Sequence, residues 1–190
     1  MAESCGHWLR GTLGYEDRYR DAKIMNIESL LESHDIEFEK FEHPPLETCC
    51  DADRLQLHRP GQRLKNLFLR DNYGRRHFLL ITSADKAVDL KALSRQLSLS
   101  RLGFASAERL SRYLKVRPGC VSLLALVNDP ELQVELWLDE SVWQGEAFQC
   151  HPLINTATLV LEKAQVERFL QLTNHIPVIM PIPQQAAMPS

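Results

Sequence analysis

The sequence predicts a mixed α+β fold. Helical and strand patterns follow one another irregularly, not in repeated strand–helix–strand units, which favours a mixed sheet with helices packed around it. Two apolar runs, Leu64 to Leu69 and His77 to Thr82, flank Asp71-Asn72-Tyr73-Gly74 and read as a hairpin. Glycines fall mostly at turns, and no Gly-x-Gly-x-x-Gly or Walker A sequence is present, so dinucleotide and nucleoside-triphosphate sites are not expected.

The elements follow in order. Residues 1–24 read as an extension, with Gly6, Gly11 and Gly14 among polar residues and no apolar period. A domain spans 25–181. Ile27, Leu30 and Leu31 have helical spacing, and Ile36 to Phe41 alternates as a strand until His43-Pro44-Pro45 ends it. A short helix is expected over 51–57, then a turn at Pro60-Gly61. After the hairpin, Asp89 caps a helix with Leu90, Leu93 and Leu97 on one face. Leu102 to Ala105 is a short strand, and Ser106 caps a helix running through Leu110 and Leu114. Pro118-Gly119 turns the chain into Val121 to Val127, an apolar run read as a buried strand. Val134 to Leu138 and Thr156 to Leu161 are further strands. Glu162 to Leu172 is a helix with Val166, Phe169 and Leu170 inward. Pro177, Pro181 and Pro183 mark the approach to a flexible tail over 182–190.

A chain of 190 residues, 44% hydrophobic and 25% charged, is long enough for one substantial core. No apolar run reaches the roughly 18–20 residues of a membrane span. The start of the chain lacks the apolar stretch of a secretory signal, so a cytoplasmic location and no membrane partner are expected. The five cysteines, Cys5, Cys49, Cys50, Cys120 and Cys150, are odd in number, include an adjacent pair and show no Cys-x-x-Cys spacing. They read as reduced thiols, with neither a disulfide framework nor a metal site.

Net charge is only −3, but it is unevenly distributed. Residues 53–117 hold 15 Lys/Arg against 5 Asp/Glu, and the remainder 7 against 20. Such asymmetry points to a basic face for a polyanion. Arg109, Arg112, Lys115 and Arg117 are the candidate phosphate contacts, the first two at helical spacing.

Chemistry concentrates in two places. Lys65 opens the run Lys65-Asn66-Leu67-Phe68-Leu69, and a polar cluster occupies His151 to Thr158. A lysine at a strand start can sit beside a pocket while the strand anchors it. His, Asn and Thr side chains supply hydrogen bonds on the other wall. Cys150 beside His151 is a poor nucleophile–base pair, because neighbours on an extended chain point to opposite faces.

Together with Phe78-Leu79-Leu80, Val88-Asp89-Leu90-Lys91, Arg101 to Ser106 and Pro118 to Asp129, these segments resemble, in this order, the YbaK/ProX superfamily of aminoacyl-tRNA deacylases. These are freestanding relatives of the prolyl-tRNA synthetase editing domain. The resemblance runs from about Glu32 to Pro181. It is nearest the branch that clears alanine from proline tRNA. It implies a mixed, largely antiparallel sheet or partial barrel surrounded by helices, and ester hydrolysis with no metal or other cofactor. Lys65 takes the essential role. Asn66, Gly119, Cys120, Val121, Ser122, Ala125, His151, Asn155 and Thr156 line or shape the substrate site. The implied partner is aminoacylated tRNA, that of proline first, with prolyl-tRNA synthetase a candidate second partner.

An aminoacyl ester is already reactive, so positioning the ester and a water matters more than a strong nucleophile. Backbone N–H groups near Gly119 can stabilise an oxyanion, and the lysine can hold a phosphate or polarise the carbonyl. Two departures from the family pattern bear on specificity. Ser122-Leu123-Leu124 lacks the proline of relatives, and Ala125 replaces a common Gly, either narrowing a pocket or adjusting the core. Asn174 also replaces a Gly, and Asn tolerates a left-handed turn. The alternatives are a tRNA-binding or synthetase-associated module without hydrolysis, and a deacylase for cysteine or serine. The oligomeric state and the role of 1–24 are not legible.

Overall fold

The structure, a computed structural model, describes residues 26–45 and 59–186. The extension over 1–24, the helix expected over 51–57 and the last four residues lie outside them.

Helix α1, Ile27–Ser33, starts where the Asn26 side chain accepts from the N–H groups of Glu28 and Ser29. It buries Ile27 and Leu31, one turn apart. Strand β1, Glu39–Glu42, ends at His43. The hairpin forms as expected: β2, Gln62–Arg70, pairs antiparallel with β3, His77–Ser83, with Lys65 opposite Thr82 and Arg70 opposite His77. Helix α2, Leu90–Gln96, is capped by Asp89, and α3, Ala107–Leu114, by Ser106. Between them β4, Gly103–Phe104, adds to β2.

Val121 to Val127 is not a strand. Leu123–Asn128 forms a 3-10 helix, begun by the Ser122 hydroxyl accepting the N–H of Leu124. A continuous apolar run cannot distinguish a buried strand from a buried helical turn. Here Leu123 to Leu126 are all buried, whereas a strand would turn alternate residues away.

Strand β5, Val134–Asp139, leads into a one-turn helix α4, Glu140–Trp143, and then β6, Ala147–Cys150. Neither α4 nor β6 is anticipated above, although Ala147-Phe148-Gln149-Cys150 alternates in burial as a strand should. Strand β7, Ala157–Glu162, runs into helix α5, Lys163–Thr173. Asn174 ends that helix in the left-handed region, φ 58°, as its residue type allows. The chain does not leave the fold at its prolines. Val178–Met180 forms β8 parallel to β5, Ile182 is buried, and Gln184 bridges to Val88.

The described strands form one mixed sheet ordered β1-β7-β6-β2-β3-β5-β8, with β4 beside β2. The larger core lies on the Leu64 and Phe68 face of β2, under α1, α3, the 3-10 helix and α5. The smaller core lies on the Leu67 and Leu69 face, under α2 and the segment after β8. One edge of β2 is taken by β3. The other holds β6 at the start of β2 and β4 at its end. Lys65 therefore sits where β2 parts from β6.

Candidate active site

Alternation along β2 puts Lys65 on the face of Arg63 and Leu67. Arg63 pairs with Gln149 of β6, so Gln149 shares that face. The same alternation, carried past buried Cys150, turns His151 toward it too. In β7, Val160 is opposite Gln149, which brings Thr158 to this side as well. Lys65, His151 and Thr158, from three strands or their ends, thus face one way at the opening between β2 and β6.

Lys65 is fixed from below. Its Nζ donates to the Lys86 carbonyl at 2.8 Å, which leaves two N–H donors of an ammonium for other partners. The Lys86 ammonium is itself held by two acceptors, Asp139 Oδ2 at 2.6 Å and the Ile182 carbonyl at 3.2 Å. Asp139 is 1% exposed and also accepts from the hydroxyls of Thr82, at 2.6 Å, and Ser141, at 2.9 Å. Burial opposes its charge, but the hydrogen bonds from Lys86, Thr82 and Ser141 outweigh it and hold the carboxyl below its ordinary range.

A polar chain is built around Thr158. Arg59 Nη1 donates to Thr158 Oγ1 at 2.7 Å, and Thr158 Oγ1 meets His43 Nε2 at 3.0 Å. His43 Nδ1 lies 2.8 Å from the Pro44 carbonyl, an acceptor only, so Nδ1 carries a proton. In neutral His43, Nε2 then accepts from Thr158, and the three groups form one directed chain. Arg59 Nη2 is buried without a hydrogen-bond partner, and burial, then the charge of Arg63, lowers the pKa of this guanidinium. His151 donates from Nδ1 to the Ala157 carbonyl at 3.4 Å. Burial pushes its pKa down, against the effect of that bond, so the ring is neutral at pH 7 with Nε2 as acceptor. An open pocket of about 520 Å³ adjoins this chain, lined by Lys40, Glu42, His43, Ile154, Thr156 and Ala157. Exposed Thr156 thus lies at the pocket, where its carbonyl also accepts the N–H of His43.

The other expected residues divide differently. Asn66 lies on the opposite face from Lys65, with Leu64 and Phe68, and its Oδ1 is buried without a hydrogen-bond partner. Gly119 has φ +85° in open space, so backbone conformation rather than room calls for glycine. The Cys120 N–H already donates to the Arg117 carbonyl, closing that turn, so it is not available to an oxyanion. Cys120, Ser122 and Ala125 are buried, and Ala125 is wholly enclosed in the larger core. Its methyl adjusts core packing. Half-buried Val121 packs against the same core. Arg117 ties this loop to the polar segment, donating to Asn155 Oδ1 and to Cys120 Sγ, both at 3.4 Å. Cys150 is no nucleophile: burial pushes its thiol up to about 12.

Of the candidate phosphate contacts, Arg109 is committed to the hairpin turn, with Nη1 2.9 Å from the Gly74 carbonyl and 2.7 Å from His77 Nε2. Arg112, Lys115 and Arg117 are exposed. The sequence reading missed His43, Arg59, Thr82, Lys86 and Asp139. Thr158 stood inside the noted polar cluster without being singled out. None of the others carries a local signal, because their partners lie far away in the chain.

Comparison with known proteins gives the family and the fold. The aminoacyl-tRNA editing domain family matches residues 43–169. The prolyl-tRNA editing protein ProX of Acetoanaerobium sticklandii is 34% identical over 151 residues, 80% of this chain and 92% of that protein. Prolyl-tRNA synthetase associated domain-containing protein 1 of Danio rerio is 38% identical over 156 residues, 81% and 84%. The crystal structure of a candidate trans-editing enzyme for prolyl-tRNA synthetase superposes with a TM-score of 0.60 at 16% identity, covering 87% of this chain and 99% of that one. At that identity the likeness speaks for the fold. Among the described residues no helix is long and apolar enough to cross a membrane.

Proposed function

Because the chain belongs to the aminoacyl-tRNA editing domain family, we propose that it hydrolyses the ester joining a wrong amino acid to tRNA, with alanine on proline tRNA as the substrate. The observation that carries this reading is the fixed amine of Lys65 on the same face as neutral His151. Lys65 polarises the ester carbonyl or holds the terminal phosphate as a point charge. His151 Nε2, the acceptor of a neutral ring, takes a proton from an attacking water. The water oxygen bonds to the carbonyl carbon, the carbonyl oxygen takes the negative charge, and the carbon–oxygen bond to the ribose then breaks. The ribose oxygen leaves with a proton. The relatives' names support proline tRNA, and alanine rests on the family resemblance, since Ala125 is enclosed in the core and sets no pocket size directly.

The test is hydrolysis of alanyl-, seryl- and cysteinyl-tRNA for proline, with prolyl-tRNA and the ordinary alanyl-tRNA as controls. Wild type and Lys65→Ala run side by side. Selective release of alanine from proline tRNA, at least 100-fold slower in the variant by the roughly 10²–10³ worth of a positioned electrostatic donor, supports the reading. Selective release of serine or cysteine moves the substrate. No release at all by wild type defeats the enzyme assignment.

A further inference from the structure

The far end of the β2–β3 hairpin carries a surface that the hydrolytic site does not use. Tyr73, in the turn, is 72% exposed, and Phe104, on β4, is 62% exposed. Exposed Arg75 lies over the Tyr73 ring at 5.8 Å from its centroid. Phe104 is opposite Leu69 in register, so it lies on the same face of β2 as Lys65. The turn and the strand beside it are joined, since Asn72 N–H donates to the Ser100 hydroxyl at 3.2 Å, and Arg101, next in the chain, is exposed.

The surface is rigid and basic. Asp71 is buried and accepts the N–H groups of Arg75 and Arg76 at 2.8 and 3.2 Å, so its charge serves the turn. Arg109 clamps the Gly74 carbonyl from behind, and Arg70 and Arg112 also bring their charges to bear on His77 at the base of the turn. Glu135 pairs with Arg76 through both carboxylate oxygens, each at 2.8 Å.

Accepting the tRNA reading above, we propose that Tyr73, Phe104, Arg75 and Arg101 form the contact for the nucleic acid beyond its reacting end, the aromatics stacking on a base and the arginines meeting phosphates. Exposed rings among guanidinium groups are the chemistry that holds single-stranded or end-of-helix bases. Distance agrees. From Lys65 to Arg70 the strand advances about 17 Å, and one nucleic-acid strand rises about 3.4 Å per nucleotide. The platform therefore lies about five nucleotides from the ester, near the junction of the unpaired 3′ end with the acceptor stem.

The experiment measures affinity for uncharged proline tRNA, alongside hydrolysis of an alanyl ester of adenosine, which is too short to reach the hairpin end. Tyr73→Ala with Phe104→Ala is expected to weaken tRNA binding about tenfold or more and leave hydrolysis of the short ester unchanged. Tyr73→Phe with Phe104→Tyr keeps both rings and is expected to bind within about twofold of wild type. Arg75→Ala with Arg101→Ala is expected to lower the slope of log affinity against log salt by about two. Wild-type affinity in the double-alanine aromatic variant overturns the proposal. Wild-type affinity together with altered self-association in that variant also overturns it, and makes the rings a protein contact. Because binding is read without hydrolysis, failure of the editing chemistry leaves this result interpretable.

Discussion

Lys65 is held through a neighbour rather than by a carboxylate of its own. Its amine rests on the Lys86 carbonyl, and Lys86 rests on Asp139, a carboxylate 1% exposed. Breaking a buried pair typically costs about 3–5 kcal/mol, because the remaining charge stays buried. Asp139→Ala is therefore expected to lower stability by about that amount, read by urea denaturation. In whatever fraction remains folded, kcat should drop with little change in KM, since the ester still binds while the amine has lost its seat. Unchanged stability would mean that Lys86 finds water and the pair matters little. At this scale the sequence shows residue types and little more. Lys65 and His151 are legible as candidates because Lys opens an apolar run and His heads a polar cluster. Asp139 ends a strand and reads as an ordinary cap, and only the fold brings Lys86 and Thr82 to it.

The element that decides the site is the join between β2 and β6. Gly61, just before β2, has φ +80°, and a Cβ there would stand 2.9 Å from the Ala147 backbone carbonyl, which cannot swing aside. Gly119, at φ +85°, has open space around it. Both positions disfavour side chains by about 1–2 kcal/mol on conformation alone. Gly61→Ala is therefore expected to cost clearly more than Gly119→Ala in a thermal melt, and to slow hydrolysis as well by spreading Lys65 and His151. Equal losses would show that the join can yield. The hairpin, the helices capped by Asp89 and Ser106 and the apolar spacing of α1 were readable, because turn residues, caps and apolar period are local. The 3-10 helix at Leu123 was not: four consecutive buried apolar residues satisfy several geometries equally. Strand β8 was not either, since its three residues, two of them exposed, gain their place only by pairing with β5.

Over the whole molecule, stability should fall on the acid side in two stages. His77 and His151 both have pKa values lowered from 6.5 by burial first, with the nearby Arg109 adding to the effect on His77. Below pH 6.5 the unfolded histidines take up protons that the folded ones resist, so stability declines as pH falls from there toward their lowered values. Asp139, lowered from 3.8, contributes stability that is present above 3.8 and lost as pH falls through its folded value. Denaturation free energy measured from pH 7.5 to 3 should show the first decline, and His151→Asn should reduce it. A flat profile from 7.5 to 5 would contradict the buried, neutral histidines. The sequence alone determined the mixed α+β class, the hairpin, the helix caps, the concentration of basic charge in 53–117, and the two segments whose order marks the family. These are properties of short windows and of residue order. Tertiary structure decided which face each residue serves. It set Lys65 and His151 on one side of β2 and Asn66 on the other, and it enclosed Ala125 in the core. It also gave Lys65 its support from Lys86 and Asp139. Those outcomes depend on strand register and on pairings between residues far apart in the chain, and no local pattern encodes them.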